Sequence, residues 1–140
     1  MKSDDCLIFV RKNCGIFDVP LIMSFCQTES SFNERAFARD RNGGSFGLMQ
    51  LDVPTARDRG FKGDPAELFD PETNIRLGVA QLCWIDKTLK RTGAGGLQNM
   101  IAAYNEGVTN VLCGNPDPLY VGNVIQHRTE WARILGEGVP

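Results

Sequence analysis

The clearest pattern along the chain is a stripe of apolar residues at helical spacing in its middle. The stripe follows Asp70-Pro71-Glu72, where aspartate can cap a helix, proline suits the first helical position and glutamate is stabilised near the positive helix end. Its apolar positions are Ile75, Val79, Leu82, Ile85 and Leu89. Because this spacing places them on one face, the pattern predicts an amphipathic helix from Asp70 to about Arg91.

Similar signals divide the rest of the chain into shorter helices. Further helices are predicted to begin near Asp4-Asp5, Asp18-Val19-Pro20, Val53-Pro54-Thr55, Leu97 and Asp117-Pro118. Glycines at or near the predicted ends are Gly15, Gly60, Gly93 and Gly107. The segment 30–52 is rich in turn residues, and no alternating strand of useful length is present. The sequence therefore predicts a mainly α fold with at most a small β-hairpin near residues 40–50.

Length and composition fit one globular domain over residues 1–140. The chain is 42% apolar and 23% charged, with a net charge of −2. This balance gives no global positive field, so we expect neither nucleic-acid binding nor adhesion to an anionic membrane. No stretch approaches the ~20 apolar residues that span a bilayer, so stable membrane insertion is not expected. The early apolar run from Cys6 to Val10 is also shorter than the roughly 7–15 residues of a secretory signal.

Cysteine and histidine usage gives little support to a metal or thiol site. The five cysteines are Cys6, Cys14, Cys26, Cys83 and Cys113, and the single histidine, His127, lies in Gln126-His127-Arg128. That charged stretch is typical of a solvated helix face. We expect the cysteines to be small buried residues in a reducing compartment, with at least one thiol free or paired between chains. No metal or cofactor is expected, since ligands are not clustered and no phosphate-binding glycine loop is present.

Glu29 is the first candidate for chemistry. Ile22, Phe25, Cys26 and Glu29 share one face of the predicted second helix, and that face is apolar except for the glutamate. Burial and the negative end of the helix both disfavour the charged carboxylate, so the pKa of Glu29 is expected to be raised. A general acid near neutral pH needs such a shift. On spacing alone, a solvated glutamate at a fraying helix end is the alternative.

Four short blocks follow one another in order along the chain. They are Glu29-Ser30, Gly47-Leu48-Met49-Gln50, Asn74-Ile75-Arg76-Leu77-Gly78 and Ala103-Tyr104-Asn105-Glu106-Gly107. Their order and spacing resemble the soluble lytic transglycosylase family, the goose-lysozyme-like branch of the lysozyme superfamily, over about residues 18–126. The resemblance implies a lysozyme-like α-helical domain in which a small hairpin lines a sugar-binding cleft.

The resemblance also implies a reaction and a site. The reaction is cleavage of the β-1,4 bond between N-acetylmuramic acid and N-acetylglucosamine in peptidoglycan, without water, to a 1,6-anhydromuramoyl product. Glu29 is implied to be the single catalytic acid and base. The residues implied to support it or to bind substrate are Ser30, Gly47, Met49, Gln50, Tyr104, Asn105 and Tyr120. The Tyr104 hydroxyl is implied to orient Glu29 or the sugar, and Gly47 to permit close backbone approach.

Alternatives remain for several of these residues. Met49 can be core filler, Tyr104 a core aromatic and Tyr120 a surface residue. Glu106 stands where the family often has alanine, and either adds charge near the cleft or points to solvent. Six cations in the middle of the chain either meet anionic peptide stems of a cell wall or, as the interspersed acids favour, form a solvated surface; they are Arg35, Arg39, Arg41, Arg57, Arg59 and Lys62.

Three functions are compatible with the sequence. The first is the lytic transglycosylase, the second is a hydrolase in which Asp40 or Asp52 positions a water, and the third is a non-catalytic wall-binding module. The expected partners are peptidoglycan glycan strands, and the chain is expected to be a monomer. Since no signal peptide is visible, an enzyme acting on the bacterial cell wall would be phage-encoded for lysis or for the virion, exported by other means, or part of a larger protein.

Overall fold

Helices form most of the computed structural model, which describes residues 1–41 and 43–139. The α-helices are α1 (Ser3–Asn13), α2 (Val19–Ser30), α3 (Val53–Asp58), α4 (Pro71–Arg91), α5 (Leu97–Glu106), α6 (Val108–Leu112) and α7 (Pro118–Leu135), and Pro65–Phe69 is a 3-10 helix. The mainly α fold class and the predicted helix starts are confirmed. The helix α6 is not predicted, because five residues are too few to show the helical period of hydrophobic residues. None of the helices in the described ranges is long and apolar enough to cross a membrane.

Aspartate side chains set the starts of four helices. Asp18, Asp52, Asp70 and Asp117 each accept a hydrogen bond from a backbone N–H in the first turn of α2, α3, α4 and α7 respectively. Each is followed closely by a proline, whose missing N–H costs nothing in the first helical turn. These local signals fix where the helices begin and therefore which residues each helix carries towards the site.

The hydrophobic core is built around α2 and α4. The first two turns of α2 are buried from Pro20 to Cys26, and α4 buries its whole predicted apolar stripe. The helix α7 packs along α2, while α5 contacts both α4 and α7. A second, smaller cluster under the sheet consists of Leu51, Ala56, Phe61, Leu68 and Leu77. The C-terminal end of α2 therefore emerges from the main core.

A small antiparallel sheet replaces the predicted hairpin. Its strands are β1 (Phe37–Ala38), β2 (Ser45–Phe46) and β3 (Leu51–Asp52), paired in that order. Phe37 pairs with Phe46, which pairs in turn with Leu51. The sequence predicts at most a two-stranded hairpin near residues 40–50, and the structure has a third strand. Strands of two residues show no alternating pattern in the sequence, so their number is not predictable from it.

Asn74 ties α4 to the segment that joins β2 and β3. Its Oδ1 accepts a hydrogen bond from the Met49 N–H at 2.7 Å, and its Nδ2 donates to the carbonyl oxygens of Phe46 at 2.7 Å and Leu68 at 2.8 Å. The side chain is 0% exposed. Gly47 permits this approach, because its φ is +75° and a Cβ there would lie 2.5 Å from the Asn74 Nδ2. One buried amide therefore fixes the segment against the helix.

The prediction that Gln126-His127-Arg128 is a solvated face holds for Gln126, which is exposed, but is wrong for Arg128 and in part for His127. Arg128 is 6% exposed, and its Nη2 lies 2.7 Å from the Oδ2 of Asp18. The Nδ1 of His127 lies 3.2 Å from the Thr28 hydroxyl oxygen. The reason is tertiary: α7 lies along α2, so His127 contacts α2 and Arg128 contacts the aspartate that caps it.

The cysteines are also less uniformly buried than expected. Cys6 and Cys26 are buried, Cys14 and Cys83 are partly buried, Cys113 is exposed, and all five are free thiols. The expectation of full burial is therefore right for two positions only. The exposed thiol belongs to the end of α6, the helix that the sequence pattern does not indicate.

Replacing Asn74 by alanine should lower the free energy of unfolding by about 3 kcal/mol, because it leaves a buried N–H and two carbonyl groups without their partner. Chemical denaturation followed by circular dichroism measures the change. Asn123→Ala on the exposed surface of α7 is the matched control, and it should change stability by less than about 0.5 kcal/mol. Equal losses in the two variants would contradict the role given to Asn74.

Candidate active site

A cleft of about 640 Å³ opens between the sheet and the helices. It is lined by Glu29, Ala38, Asp40, Arg41, Ser45, Gln50, Leu51, Asp52, Thr55, Gln81, Tyr104 and Asn105. Four predicted site residues, Glu29, Gln50, Tyr104 and Asn105, therefore meet in one cavity although they come from distant parts of the chain. Its volume lies in the range of roughly 300–1,000 Å³ that small-molecule sites occupy.

Glu29 lies in the last turn of α2, on the face that the sequence predicts. Ile22, Phe25 and Cys26 on that face are all 0% exposed. Burial raises the pKa of the Glu29 carboxyl group, and a hydrogen bond from Tyr120 opposes this shift with a smaller effect. The carboxyl group is therefore biased towards its protonated form. The alternative of a solvated glutamate at a frayed helix end is excluded.

The partner of Glu29 is Tyr120 on α7. The Tyr120 hydroxyl donates a hydrogen bond to the Oε2 of Glu29. Burial and the neighbouring carboxylate raise the pKa of Tyr120 far above its ordinary value, so the phenol keeps its proton and remains a donor. The alternative that Tyr120 is a surface residue is therefore wrong.

Tyr104 lines the cleft but makes a different contact from the one the resemblance implies. Its hydroxyl donates to the Met49 carbonyl oxygen at 2.6 Å, and its ring packs against Phe25 with the centroids 4.8 Å apart. Burial and the nearby Glu29 charge raise the pKa of Tyr104 well above its usual value. Tyr104 thus forms part of the cleft wall and holds the backbone at Met49, while the hydrogen bond to Glu29 comes from Tyr120.

The chain turns sharply after Glu29, and Ser30 anchors the turn. Ser31 has a left-handed φ of 51° and ends α2. The Ser30 hydroxyl lies 2.9 Å from the Cys26 carbonyl oxygen and 2.8 Å from that of Leu48, and its proton bonds to these acceptors. Ser30 therefore supports Glu29 through the backbone, joining the end of α2 to the segment between β2 and β3.

Gln50 and Asn105 both line the cleft, Gln50 from the end of the segment between β2 and β3 and Asn105 from α5. Gln50 has a left-handed φ of 51°, and its Nε2 donates to the carbonyl oxygens of Ala36 at 3.1 Å and Gly47 at 3.0 Å. With the amide N–H groups used inside the protein, the Gln50 side-chain oxygen is its group suited to accept from a ligand. Asn105 is exposed near the end of α5.

Two predicted cleft residues lie behind the wall instead. The Met49 side chain is 0% exposed and fills the space above Gly78, where a Cβ would lie 2.4 Å from the Met49 sulfur. Gly47 is buried, and the group that approaches it closely is the Asn74 amide. The prediction that Met49 lines the cleft is therefore wrong for its side chain. The tight approach predicted at Gly47 serves packing, because α4 occupies the space below this segment.

Two aspartates add negative charge to the cleft while stabilising local turns. The carboxylate of Asp40 accepts from the Gly44 N–H at 2.9 Å and from the Ser45 hydroxyl at 2.9 Å. The carboxylate of Asp52 accepts from the Thr55 N–H at 2.7 Å. The environments of these aspartates therefore differ from the desolvated environment of Glu29.

Glu106 plays a structural part that neither sequence alternative describes. Its Oε1 accepts a hydrogen bond from the Asp117 N–H. Asp117 in turn caps α7, the helix that carries Tyr120. Glu106 therefore links the end of α5 to the start of α7.

Several residues of the cleft carry no sequence signal that indicates their place in it. Ala38, Ser45, Thr55 and Gln81 line it, yet each is small or polar within a segment assigned on other grounds. Thr55 directly follows Val53-Pro54, so the sequence predicts that it lies in the first turn of a helix. The sequence does not predict that its side chain faces the cleft. Within residues 1–41 and 43–139, no group of three or more His, Cys, Asp or Glu side chains is arranged to hold a metal ion.

Comparison of the sequence with known proteins identifies a family. The model of the transglycosylase SLT domain family matches residues 7–113. The membrane-bound lytic murein transglycosylase C proteins of Yersinia pestis and Yersinia pseudotuberculosis are 39% identical to the chain over 122 residues. That match covers 76% of this chain and 32% of theirs, so the chain spans about a third of the length of these relatives.

Solved structures share the fold. The lytic transglycosylase Slt of Pseudomonas aeruginosa, solved as an inactive glutamate-to-glutamine mutant, matches with a TM-score of 0.79 and 25% identity, over 98% of this chain and 25% of that one. The 70 kDa soluble lytic transglycosylase of Escherichia coli matches with a TM-score of 0.73 and 24% identity, over 96% of this chain and 24% of that one.

These matches confirm the resemblance and the lysozyme-like fold that the four sequence blocks imply. The family model alone covers most of the chain, including Glu29 and the cleft-lining residues named above. The chain belongs to the transglycosylase SLT domain family.

Proposed function

We propose that this protein is a peptidoglycan lytic transglycosylase that uses Glu29 as its single general acid and base. The observation that carries the proposal is the state of Glu29: a desolvated carboxyl group with a raised pKa, facing a cleft and held by one phenol. The names of the Yersinia relatives, lytic murein transglycosylases, support the substrate class. The inactive glutamate-to-glutamine mutant of the Pseudomonas aeruginosa enzyme supports a glutamate as the essential group.

In the first step, protonated Glu29 donates its proton to the glycosidic oxygen between N-acetylmuramic acid and N-acetylglucosamine. The C–O bond breaks, and the N-acetyl group of the muramic acid stabilises the electron-poor anomeric carbon. Glu29 is left as a carboxylate, which the Tyr120 hydroxyl stabilises by donating its hydrogen bond. Burial favours the acid before the step, and Tyr120 favours the base after it.

In the second step, the Glu29 carboxylate removes the proton from the C6 hydroxyl of the muramic acid. The C6 oxygen then bonds to the anomeric carbon and closes the 1,6-anhydro ring. Glu29 regains its proton and is ready for another cycle. No water enters the product, which distinguishes this route from glycoside hydrolysis with two carboxylates.

The hydrolase alternative rests on Asp40 and Asp52, which face the same cleft. Their carboxylates already accept hydrogen bonds from Gly44, Ser45 and Thr55, as local turn and cap residues do. This favours a structural role for them over the positioning of a water. Mass spectrometry of the products of purified peptidoglycan decides between the routes, because a 1,6-anhydro end is one water lighter than a reducing end.

The proposal includes the place where the protein acts and its oligomeric state. The protein would act on the bacterial cell wall as a monomer, on glycan strands that thread along the open cleft. A phage-encoded lysis or virion protein, another route of export and a place within a larger enzyme are all compatible with this proposal.

Replacing Glu29 by glutamine should lower the rate of wall cleavage by roughly 10²–10⁴-fold, because the amide is nearly isosteric but cannot donate the proton. The clearing of a cell-wall suspension measures the rate. Glu67→Gln, at an exposed position outside the cleft, makes the same chemical change and should keep full activity. A Glu29→Gln protein that is folded and still active would refute the assignment.

Replacing Tyr120 by phenylalanine should raise the pKa of Glu29 further, because the hydrogen bond that favours the carboxylate is lost. The activity that depends on protonated Glu29 should then persist to higher pH, and the alkaline limb of the pH–rate profile should move upward. Tyr104→Phe is the matched control, since its hydroxyl bonds to Met49 instead. It should cost about 1–3 kcal/mol of stability and leave the alkaline limb in place. Identical profiles for the two variants would contradict the assignment.

The raised pKa of Glu29 also predicts how stability depends on pH. A carboxyl group in an unfolded chain titrates near about 4.3, so between that value and its higher folded pKa the folded protein binds the extra proton. The contribution of Glu29 to stability is therefore present in acid and is lost as pH rises through this window. Urea unfolding should show that Glu29→Gln gains stability relative to the natural protein as pH rises from about 4 to about 7. A constant difference would show that Glu29 is not desolvated.

A further inference from the structure

An arginine and a tryptophan lie one helical turn beyond the cleft on two adjacent helices. Thr55 lines the cleft, and the Arg59 N–H donates to the Thr55 carbonyl oxygen at 3.1 Å, so Arg59, the residue that caps the end of α3, lies one turn beyond Thr55. Gln81 lines the cleft from α4, and Trp84 follows it by three residues on the same helical face. The pair therefore lies next to Thr55 and Gln81, the residues by which α3 and α4 line the cleft.

The two side chains are stacked. The guanidinium carbon of Arg59 lies 4.9 Å from the centroid of the Trp84 ring, and the tryptophan remains 39% exposed. The Nε of Arg59 is buried and lacks a hydrogen-bond partner among the described residues. A guanidinium held flat on an indole keeps its planar fork in one orientation, which suits two-pronged recognition of a carboxylate.

The charge distribution of the cleft favours binding of a substrate carboxylate next to Arg59. Glu29, Asp40 and Asp52 face the cleft, and Arg41 is the one basic side chain among the described residues that line it. A carboxylate on the substrate is therefore disfavoured along most of the cleft and favoured next to a cation at its end. Peptidoglycan strands carry such carboxylates on their peptide stems or, where the stem has been removed, on the lactyl group of the muramic acid.

We propose that Arg59, held in place by Trp84, forms a subsite at the end of the cleft that binds a carboxylate of the glycan substrate. This inference rests on the proposed function, because it takes its ligand from the peptidoglycan strand. Arg59 is the binding group of this subsite, and Trp84 is a positioning residue that acts through it.

Binding of soluble, peptide-bearing glycan strands to the Glu29→Gln protein tests the subsite without turnover. Adding Arg59→Gln should raise the Kd by roughly three- to tenfold, since a positioned charge-assisted pair at a partly exposed site is lost. Arg57→Gln is the matched control. It removes the same charge two residues earlier, in the last turn of α3, but the Arg57 guanidinium donates to the carbonyl oxygens of Phe61 and Gly63. The Kd of the Arg57→Gln variant for the strands should not change.

Modified strands identify the carboxylate. Strands whose carboxyl groups have been converted to amides should bind equally to the Arg59 variant and its parent. With strands freed of their peptides, a remaining Arg59 effect assigns the lactyl carboxylate, and its loss assigns the peptide stem. Either result supports the subsite. An Arg59→Gln effect that matches Arg57→Gln, or that persists with fully amidated strands, overturns it.

The Trp84 variants separate positioning from packing. Trp84→Ala should raise the Kd as Arg59→Gln does, and Trp84→Phe should restore most of the affinity. Circular dichroism checks that each variant is folded. If Arg59→Gln does not fold, Arg59→Lys replaces it in the binding measurement. If the natural protein yields no anhydro product but strand binding still depends on Arg59, the proposed reaction is wrong and the subsite is supported. Strands that bind without any dependence on Arg59 would remove the subsite alone.

Discussion

The hydrogen bond between Tyr120 and Glu29 joins two residues that are 91 positions apart in the sequence. It forms only when α7 lies in one register along α2. The ion pair between the buried Arg128 and the partly buried Asp18 fixes that register at the N-terminal end of α2, at the opposite end of the helix from Glu29. The site therefore depends on a helix–helix contact that runs from the first to the last turn of α2. The same contact desolvates the Glu29 carboxyl group and supplies the phenol that holds it.

The polar residues of the four sequence blocks act mostly on backbone groups. Ser30, Asn74 and Tyr104 each bond to a carbonyl or N–H of the segment 46–49, from three different helices. This segment has a left-handed glycine and is followed by a left-handed glutamine, so it does not hold its shape by a regular hydrogen-bond ladder. The side chains that converge on it replace that ladder. In this way three helices hold one wall of the cleft in place.

The carboxyl groups at the cleft are set apart by their surroundings. Glu29 is desolvated and receives one phenol hydrogen bond, whereas Asp40 and Asp52 receive backbone N–H and hydroxyl groups from local turns. Burial favours the protonated form of Glu29, whereas the two aspartates serve as acceptors in local turns. A carboxyl group with a raised pKa thus lies in the same cleft as two aspartates that stabilise local turns.

The sequence by itself determined the features that depend on near neighbours. Aspartate–proline pairs set the helix starts, and the apolar stripe of α4 and the face of α2 followed from helical spacing, so the position of Glu29 and the direction of its pKa shift were predictable. Only the tertiary structure decided which tyrosine reaches Glu29, since that depends on how α7 packs along α2. It likewise buried Met49 and Arg128, whose residue types are compatible with either surface or core. Local periodicity fixes which face of a helix is apolar, but only the packing of distant helices decides what that face meets.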